Sequence, residues 1–410
     1  MINDFKLRDY QDELSDKAKI ILDKYKIVYL SLEVRTWKTL TSLETAKKYW
    51  AKKVLFLTKK IALKSIAEDY QNFKNDLECI IINYDSLHKI LENDFDLIIL
   101  DEAHQLWTFP KPNNKFKNIK KRFSKIPMIL LSWTPTPEWF CQFFHQFYIS
   151  FYNPWKNFIN FYKWHRSWFW DLQEKQISKD EKRNDWSIWN YDKIMQDIWH
   201  LILTYTQQEA WFTTDVKEEV LFVEMEQKTY DIIAKLKEKK VIKTPTKVLL
   251  ADTKVKEMSK IHQLYSWTVK FEDKTSMILD YSKWIFIKKY FEWKKIWIFY
   301  KFQEEKELLK NVFWKNITDN LEEFNNSWKN IMLQIISGRE WISLKEADFL
   351  VFYNIDFSAL SYLQAKDRMT TINRQFNKIY WIFSKWWLEK EIYKRVQKKK
   401  NFTSKIYDKC

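Results

Sequence analysis

The sequence predicts an α/β protein with two domains, each built around a parallel β-sheet. In the N-terminal third, strand-like apolar runs at residues 26–34 and 53–58 flank a helix-like run at 38–50. The same alternation returns between residues 285 and 383. A chain of 410 residues is long enough for two or three domains with ordinary buried cores.

Further strands are predicted at residues 79–84, 96–101 and 127–132, and each run ends in polar residues. In open parallel sheets the binding site lies at the carboxyl ends of the strands. An aromatic and basic stretch at 140–205 breaks the alternation, and we interpret it as an insertion or connecting element. The predicted parts are a first domain at 1–140, a connecting region at 141–245, a second domain at 246–385 and a basic tail at 386–410.

The charge balance favours a polyanionic partner. The net charge is +16 and the isoelectric point is about 9.3, so nucleic acid would be attracted through counterion release. Charge alone leaves a solvated basic surface equally open. Cys79, Cys141 and Cys410 are too few and too scattered for a disulfide framework or a zinc cluster, and they suit a reducing cytoplasm. We also expect no membrane segment, because no apolar run reaches the roughly 18 residues that a bilayer requires.

The glycine and tryptophan contents are anomalous. The sequence has one glycine, Gly338, and 23 tryptophans, whereas an average chain of this length would have about 29 glycines. Without glycine, left-handed turns and helix C-caps must be occupied by residues that are sterically disfavoured there. The two deviations are opposite in sign and similar in size. They motivate the hypothesis that UGA codons, written as Trp, are translated as Gly in the source organism.

The segment at residues 31–43, SLEVRTWKTLTSL, follows an apolar run and resembles a phosphate-binding loop. Lys38 and Thr39 fit the phosphate-binding lysine and the Mg²⁺-binding hydroxyl. The backbone at Trp37 would have to approach the phosphates closely, which an indole prevents and glycine would allow. A basic helix start is the alternative interpretation. The candidate nucleotide-binding residues of this segment are Arg35, Thr36, Trp37, Lys38 and Thr39.

Two carboxylates follow the apolar run at 96–100. Asp101 can hold Mg²⁺ through water, and Glu102 can orient or deprotonate the attacking water. His104 is interpreted as coupling the nucleotide site to the second domain, although an isolated histidine is more often structural. Ser132 and Thr134 come at the end of the next apolar run, where the alternative is an ordinary proline-rich turn.

Seven segments in order resemble the motifs of superfamily 2 helicases. They are LRDYQ (7–11), VRTWKT (34–39), FLTKK (56–60), DEAH (101–104), SWTP (132–135), SGREWISLKEADFLVFYNIDFS (337–358) and LQAKDRMTTINR (363–374). They most resemble Swi/Snf-type DNA translocases of a compact form such as phages encode. The resemblance implies two RecA-like lobes with a helical and aromatic insertion between them. It also implies ATP and Mg²⁺ as cofactors and DNA as the partner.

The resemblance also implies roles for single residues. Gln11 would bind the adenine, and Asp101 and Glu102 would be the catalytic carboxylates. The loop joining nucleotide to nucleic acid would contain Gly338, Arg339 and Glu340, and the last motif would contain Gln364, Asp367 and Arg368. This motif brings an arginine to the γ-phosphate. The family has a second arginine where this chain has Thr371, so Arg368 and Arg374 are both candidates.

Three tryptophans, Trp37, Trp133 and Trp341, occupy motif positions at which the resemblance calls for glycine. Trp107, Trp139 and Trp267 lie in turn-like contexts, and Trp386 and Trp387 resemble a Gly-Gly turn. Trp164 and Trp381 lie in aromatic or strand-like surroundings that suit authentic tryptophan.

The expected activity is an ATP-dependent DNA helicase or duplex translocase that couples hydrolysis between two lobes to movement. If the tryptophans are literal, the alternative is a basic nucleic-acid-binding protein with an inactive ATPase fold. Another is a motor subunit of a restriction or recombination complex. Candidate nucleic-acid contacts are the basic run at 111–122 and the aromatic stretch, for which a hydrophobic core is the other interpretation.

Overall fold

The computed structural model describes residues 7–33, 36–73, 76–107, 112–136, 140–168, 174–176, 182–184, 190–210, 215–335, 346–355, 376–385 and 389–394. The chain divides into two compact units, Met1–Trp211 with Asn401–Cys410 and Phe212–Lys400. Each unit has its own six-stranded sheet and its own hydrophobic core. None of the helices in the described ranges is long and apolar enough to cross a membrane.

The first unit contains a six-stranded parallel sheet. Its helices and strands are α1 (Asp9–Tyr25), β1 (Ile27–Leu32), α2 (Lys38–Lys48), β2 (Lys53–Thr58), α3 (Leu63–Asn72), β3 (Glu78–Asn83), β4 (Leu97–Leu100), α4 (Asn114–Phe123), β5 (Met128–Leu131), α5 (Phe143–Tyr148), α6 (Phe161–Arg166), β6 (Glu174–Gln176), β7 (Lys182–Asn184), α7 (Tyr191–Ile198) and β8 (Ile202–Tyr205). The strand order is β3-β2-β4-β5-β1-β8, and every pair is parallel.

The sequence of the strands explains their central position. All residues of β1, β4 and β5 are buried, as expected for a parallel sheet that is covered on both faces. Because the strands are parallel, the carboxyl ends of β1 to β5 meet at one edge of the sheet. The polar residues that follow these strands are therefore brought together there. The prediction of α/β domains with parallel sheets is confirmed.

Many of the described aromatic residues in the stretch at 140–205 belong to the core of the first unit. Phe143, Phe144 and Phe147 of α5 are buried and pack with Trp155 and Trp164 in one cluster. The same stretch ends in β8, which pairs with β1 as the edge strand. Of the two interpretations of its aromatic side chains, the structure shows the hydrophobic core.

The second unit repeats the parallel arrangement and adds two antiparallel hairpins. Its helices and strands are β9 (Asp215–Val223), α8 (Gln227–Lys239), β10 (Val241–Lys243), β11 (Val248–Leu250), α9 (Lys254–Tyr265), β12 (Thr268–Lys270), β13 (Ser276–Ile278), α10 (Ser282–Tyr290), β14 (Ile296–Tyr300), α11 (Gln303–Phe313), β15 (Ile317–Thr318), α12 (Leu321–Asn325), β16 (Asn330–Gln334), β17 (Phe349–Phe352) and β18 (Phe376–Ser384). The order of the large sheet is β15-β16-β14-β17-β18-β9, whereas β10-β11 and β12-β13 are the hairpins.

Left-handed backbone is concentrated at tryptophans. Nine non-glycine residues in the described ranges have positive φ, and five of them are Trp37, Trp50, Trp267, Trp293 and Trp314. Such angles are uncommon for residues with a Cβ atom, and bulky side chains adopt them least. Lys26, Glu102, Lys240 and Lys274 are the others.

Two of these tryptophans show the demand for glycine in detail. The Trp50 amide donates to Lys47 O at 2.9 Å and the Ala51 amide to Ala46 O at 3.1 Å, which together form a Schellman cap at the end of α2. The left-handed position of that motif is usually glycine. Trp314 has φ 47° and ψ −121°, outside the main regions open to L-residues. The indoles of Trp50 and Trp314 are 85% and 75% exposed, so little burial compensates for the strain.

Replacing Trp314 with glycine is expected to raise the free energy of unfolding by about 1–2 kcal/mol. The substitution relieves a backbone strain of about 1–3 kcal/mol, and glycine's greater freedom in the unfolded chain offsets part of that gain. Denaturant unfolding followed by circular dichroism measures the change.

The matched control is Trp381→Gly. Trp381 is fully buried in β18, stacks on Phe352 at 4.1 Å and donates its indole N–H to Glu218 at 3.2 Å. Its removal should destabilise the second unit by about 3–5 kcal/mol. Equal losses at both positions would contradict the proposed strain at Trp314.

Acid should destabilise the first unit through His145. This histidine is 2% exposed on α5 among the rings of Trp107, Phe116 and Phe161. Burial, assisted by the charge of Lys120, lowers its pKa from 6.5 to about 4. The neutral form therefore stabilises the native state above pH 6.5, and this contribution is lost as the pH falls towards 4, amounting to roughly 3 kcal/mol.

His145→Phe should remove most of that pH dependence while preserving the aromatic packing. Unfolding free energies measured between pH 4 and pH 7 test this, with the exposed His88 substituted by Gln as the control. If the unfolding free energy of the His145→Phe variant depends on pH as steeply as that of the parent, another group is responsible.

Candidate nucleotide-binding site

The candidate site lies at the carboxyl edge of the first sheet. Lys38 and Thr39 begin α2, after the loop that follows β1. Asp101 and Glu102 follow β4, and Ser132 follows β5. Because β5 lies between β4 and β1, the sheet order places these three strand ends side by side.

The loop before α2 has the geometry of a turn into a helix. Trp37 is the N-cap residue, with φ 48° and ψ 55°, and its carbonyl accepts from the Thr41 amide at 3.2 Å. The Thr36 hydroxyl donates to Glu33 O at 2.7 Å, and Lys38 Nζ donates to Leu32 O at 3.5 Å. The lysine thus folds back over the loop, where a phosphate could replace the carbonyl as its acceptor.

The Trp37 indole packs against Arg8, the residue that precedes α1. The Arg8 guanidinium is 3.8 Å from the centroid of its ring, and the residue is 37% exposed. A side chain at this position extends from the turn that approaches a bound phosphate. The left-handed angles and the position in the loop both favour glycine.

Gln11 lies on the buried face of α1 and is 2% exposed. Its Oε1 accepts from the Arg8 amide at 2.8 Å, whereas Nε2 has no hydrogen-bond partner among the described residues. The neighbouring Tyr10 stacks on Tyr205 at 4.7 Å, and its hydroxyl donates to Thr36 O at 3.5 Å. A buried amide donor beside the loop is therefore available to an acceptor such as a base nitrogen.

Asp101 is held at three of its atoms. Its amide donates to Leu57 O at 2.9 Å, its carbonyl accepts from the Tyr84 hydroxyl at 2.5 Å, and its Oδ2 accepts from the Thr58 hydroxyl at 2.7 Å. Glu102, the next residue, is 5% exposed and left-handed, with φ 52°. The sequence predicted no role for Thr58, which lies in the FLTKK segment, or for Tyr84, although both stand where predicted strands end in polar residues.

The adjacent carboxylates have pKa values shifted in opposite directions. Burial, followed by repulsion from Glu102, raises the pKa of Asp101 to about 7. Burial alone would also raise the pKa of Glu102, but hydrogen bonding from His104 and the charges of His104, Lys59 and Lys38 lower it well below its usual range. Glu102 is therefore the ionised member at neutral pH. Asp101 is only partly ionised near neutral pH, and a bound cation would favour its charged form.

His104 links the ends of β4 and β5. Its Nδ1 lies 3.1 Å from Glu102 Oε2 and 3.0 Å from Ser132 Oγ. The Ser132 hydroxyl in turn accepts from the Thr134 amide at 3.2 Å. The structure thus brings together the predicted residues Glu102, His104, Ser132 and Thr134.

The donor set fits Mg²⁺. Thr39 supplies a hydroxyl and Asp101 a carboxylate, and such sites need few protein ligands because nucleotide phosphates and water complete the octahedron. No cluster of three or more His, Cys, Asp or Glu side chains able to hold a metal occurs in the described ranges.

Several predicted site residues lie outside the described residues. They are Arg35 of the loop, Gly338, Arg339 and Glu340, and Gln364, Asp367, Arg368 and Arg374. Their roles remain predictions. The same holds for glycine at Trp139, Trp341, Trp386 and Trp387.

Comparisons with known proteins point to one kind of fold. A family model described as the res subunit of type III restriction enzymes matches residues 59–138. The Pyrococcus furiosus Hef helicase domain is similar in structure, with a TM-score of 0.52 and 15% identity over 95% of this chain and 98% of that chain. The chain shares the two-sheet α/β fold of that helicase domain. Its two sheets are the two RecA-like lobes expected from the sequence.

A second solved structure, the Sulfolobus solfataricus SWI2/SNF2 ATPase core in complex with dsDNA, was also matched. It has a TM-score of 0.44 and 16% identity over 98% of this chain and 93% of that chain. A search of the curated proteins found no match.

Asp101→Asn is expected to stabilise the metal-free protein at alkaline pH. Because the native pKa of Asp101 is raised from 3.8 to about 7, native stability is lost as the pH rises between these values. The variant should therefore exceed its parent by roughly 2–4 kcal/mol at pH 8 and match it near pH 4.

Thermal unfolding in a chelator, followed at both pH values, measures this difference. Asp76→Asn, at an exposed carboxyl of the same unit, is the matched control and should change little. Added Mg²⁺ should stabilise the parent more than the Asp101→Asn variant. A variant that is less stable than its parent at pH 8 would refute the repulsion between Asp101 and Glu102.

Proposed function

We propose that the chain is an ATP-dependent DNA helicase or duplex translocase, with ATP hydrolysis stimulated by nucleic acid. One observation carries the proposal. The edge of the first sheet brings a loop lysine and threonine, Lys38 and Thr39, to the same place as a buried carboxylate pair, Asp101 and Glu102. The helicase-core fold supports the same activity.

The side chains divide the chemistry among them. Lys38 and the first amides of α2 bind the phosphates, and the free amide of Gln11 binds the adenine. Thr39 and Asp101 hold Mg²⁺, which neutralises charge on the phosphate oxygens when it is bound. Glu102, ionised and oriented by His104, positions the attacking water. Arg368 or Arg374 stabilises charge on the γ-phosphate.

His104 is proposed to report the state of the nucleotide. Its Nδ1 is within hydrogen-bond distance of both Glu102 and Ser132, but a single ring N–H can donate to only one of them at a time. A change at Glu102 on hydrolysis would therefore alter the hydrogen bond to the segment after β5. Ser132 and Thr134 are the residues that would pass this change on, with Arg339 and Asp367 as the partners expected in the second lobe.

DNA is the proposed partner because of the net charge of +16. Within the described part of the basic run, residues 112–122, three cations are engaged in the unit itself. Lys115 pairs with Asp85 at 3.1 Å, Lys120 donates to Tyr148 O at 2.7 Å and Arg122 donates to Leu87 O at 3.1 Å. Lys117 and Lys121 are exposed on α4 and are the proposed phosphate contacts there.

We further propose that most tryptophans stand for glycine in the working protein. Trp37 and Trp267, which the sequence motifs and turns had indicated, both have positive φ. Trp50, Trp293 and Trp314 share this property without any motif to indicate them. At these five positions the backbone is thus a second reason for the substitution, whereas Trp107 has an ordinary extended backbone with φ −75°. The left-handed backbone opposes the alternative of an inactive ATPase fold with literal tryptophans.

The ATPase proposal is tested by comparing the chain as written with a variant carrying Trp37→Gly, Trp133→Gly and Trp341→Gly. The variant should hydrolyse ATP and be stimulated by duplex DNA, whereas the written chain should not, because the Trp37 side chain obstructs the phosphate loop. Phosphate release with and without DNA is the measurement. Lys38→Ala in the glycine background is the control and should abolish turnover.

Equal turnover by both chains would contradict the assignment of glycine at these sites. DNA binding without turnover in the glycine variant would instead favour the inactive fold.

The coding DNA gives a separate check. UGA is expected at codons 37, 50, 267, 293 and 314. UGG is expected at codons 155 and 381, because the indoles of Trp155 and Trp381 are buried and donate to Asp197 and Glu218. UGG at codon 314 would contradict the recoding where the backbone demands glycine most strongly.

A motor subunit of a restriction complex is the second candidate. It is favoured by the match of residues 59–138 to the res subunit family. That match covers the carboxylate pair and the segment after β5, which other superfamily 2 members also contain. Stimulation by DNA in the isolated chain would favour the self-sufficient motor, whereas a requirement for added subunits would favour the restriction complex.

A further inference from the structure

We infer that Thr58 and Tyr84 are positioning residues for the Asp101–Glu102 turn, and this inference rests on the proposed ATPase function. Both side chains are buried, and both donate hydrogen bonds to Asp101. Thr58 ends β2 and Tyr84 directly follows β3, and they hold two different parts of the same residue. Neither needs to touch the nucleotide to affect the geometry of the site.

Thr58 fixes the carboxylate. Strand β2 is the neighbour of β4, and Leu57 pairs with Leu100, so Thr58 and Asp101 are opposite each other where the two strands end. The Thr58 hydroxyl is fully buried and donates to Oδ2 of Asp101 at 2.7 Å. This bond restricts the rotation of the carboxylate and occupies one of its oxygens.

Tyr84 fixes the peptide that follows. It comes directly after β3, which is separated from β4 by β2 in the sheet. Its hydroxyl therefore reaches past an intervening strand to donate to the Asp101 carbonyl at 2.5 Å. That carbonyl belongs to the peptide joining Asp101 to Glu102, whose backbone is left-handed with φ 52° and ψ 46°. Holding this peptide plane holds the direction in which Glu102 leaves the turn.

The two hydroxyls position different parts of the site. Thr58 orients the group that binds the metal, and Tyr84 orients the backbone that aims the group acting on water. Outer residues of this kind commonly change metal affinity or activity by about 10–100-fold when they are removed. A merely structural hydroxyl would change the stability of the unit and leave the Mg²⁺ requirement of the site unchanged.

The test uses the full chain with Trp37→Gly, Trp133→Gly and Trp341→Gly as the parent. Thr58→Val keeps the shape of the side chain and removes the hydroxyl, whereas Thr58→Ser keeps the hydroxyl. Tyr84→Phe removes only the phenolic oxygen. Each variant is measured for thermal unfolding, for kcat and KM of ATP hydrolysis, and for the Mg²⁺ dependence of binding of a fluorescent ATP analogue.

Thr58→Val is expected to raise the Mg²⁺ concentration for half-maximal binding and to lower kcat, each by about 10-fold or more, with Thr58→Ser close to the parent. Tyr84→Phe is expected to lower kcat while leaving the Mg²⁺ dependence unchanged, because it acts on Glu102. The inference is overturned if the Val variant matches the parent in both measurements. It is also overturned if the Ser variant is as impaired as the Val variant, because packing would then be responsible.

The binding and turnover measurements distinguish this inference from the ATPase proposal. A parent that binds the analogue with Mg²⁺ but does not turn over ATP contradicts the ATPase proposal, and the Mg²⁺ dependence of Thr58→Val then decides the inference. A parent that binds no nucleotide contradicts both. Normal catalysis with altered melting temperature in Thr58→Val and Tyr84→Phe would show that the hydroxyls are structural.

Discussion

Two adjacent carboxylates buried at the end of one strand are the constraint on which the candidate site depends. Asp101 and Glu102 are each nearly inaccessible, and their mutual repulsion in a poorly solvated place is costly unless other groups compensate. The surrounding residues supply that compensation. Thr58 donates to one carboxylate, His104 contacts the other, and Lys59 and Lys38 contribute positive charge. The sheet order explains why all of them are within reach.

In this arrangement the two carboxylates differ in how readily they ionise. Glu102 is charged and paired with His104, whereas Asp101 has its pKa raised to about 7 and is the group best satisfied by an added cation. This difference supports the proposal that a divalent ion would bind at Asp101 and not at Glu102. The same asymmetry separates the proposed roles of the two residues, with one binding metal and the other acting on water.

The second constraint is the need for left-handed backbone, which glycine adopts more readily than other residues. Helix ends such as the one at Trp50 and turns such as the one at Trp314 require conformations that side chains with a Cβ atom disfavour. A fold with two parallel sheets needs many such reversals, because successive strands of a parallel sheet are joined by crossovers. The structure places large exposed indoles at these reversals, with Trp50 at 85% and Trp293 at 91%. In contrast, Trp381 is packed and hydrogen-bonded, as an authentic tryptophan should be.

The sequence by itself determined the fold class and indicated the chemical groups of the candidate site. Mostly apolar runs such as 53–58 and 97–100 are short, and their alternation with helix-like runs indicates buried strands of a parallel sheet. Lys38, Thr39, Asp101 and Glu102 were identifiable because each follows such a run in a known order. Only the tertiary structure could show that Thr58 and Tyr84 bind Asp101, because those contacts depend on the order of strands in the sheet. It also decided that the aromatic stretch after residue 140 is core, since burial is a property of the packed unit and not of composition.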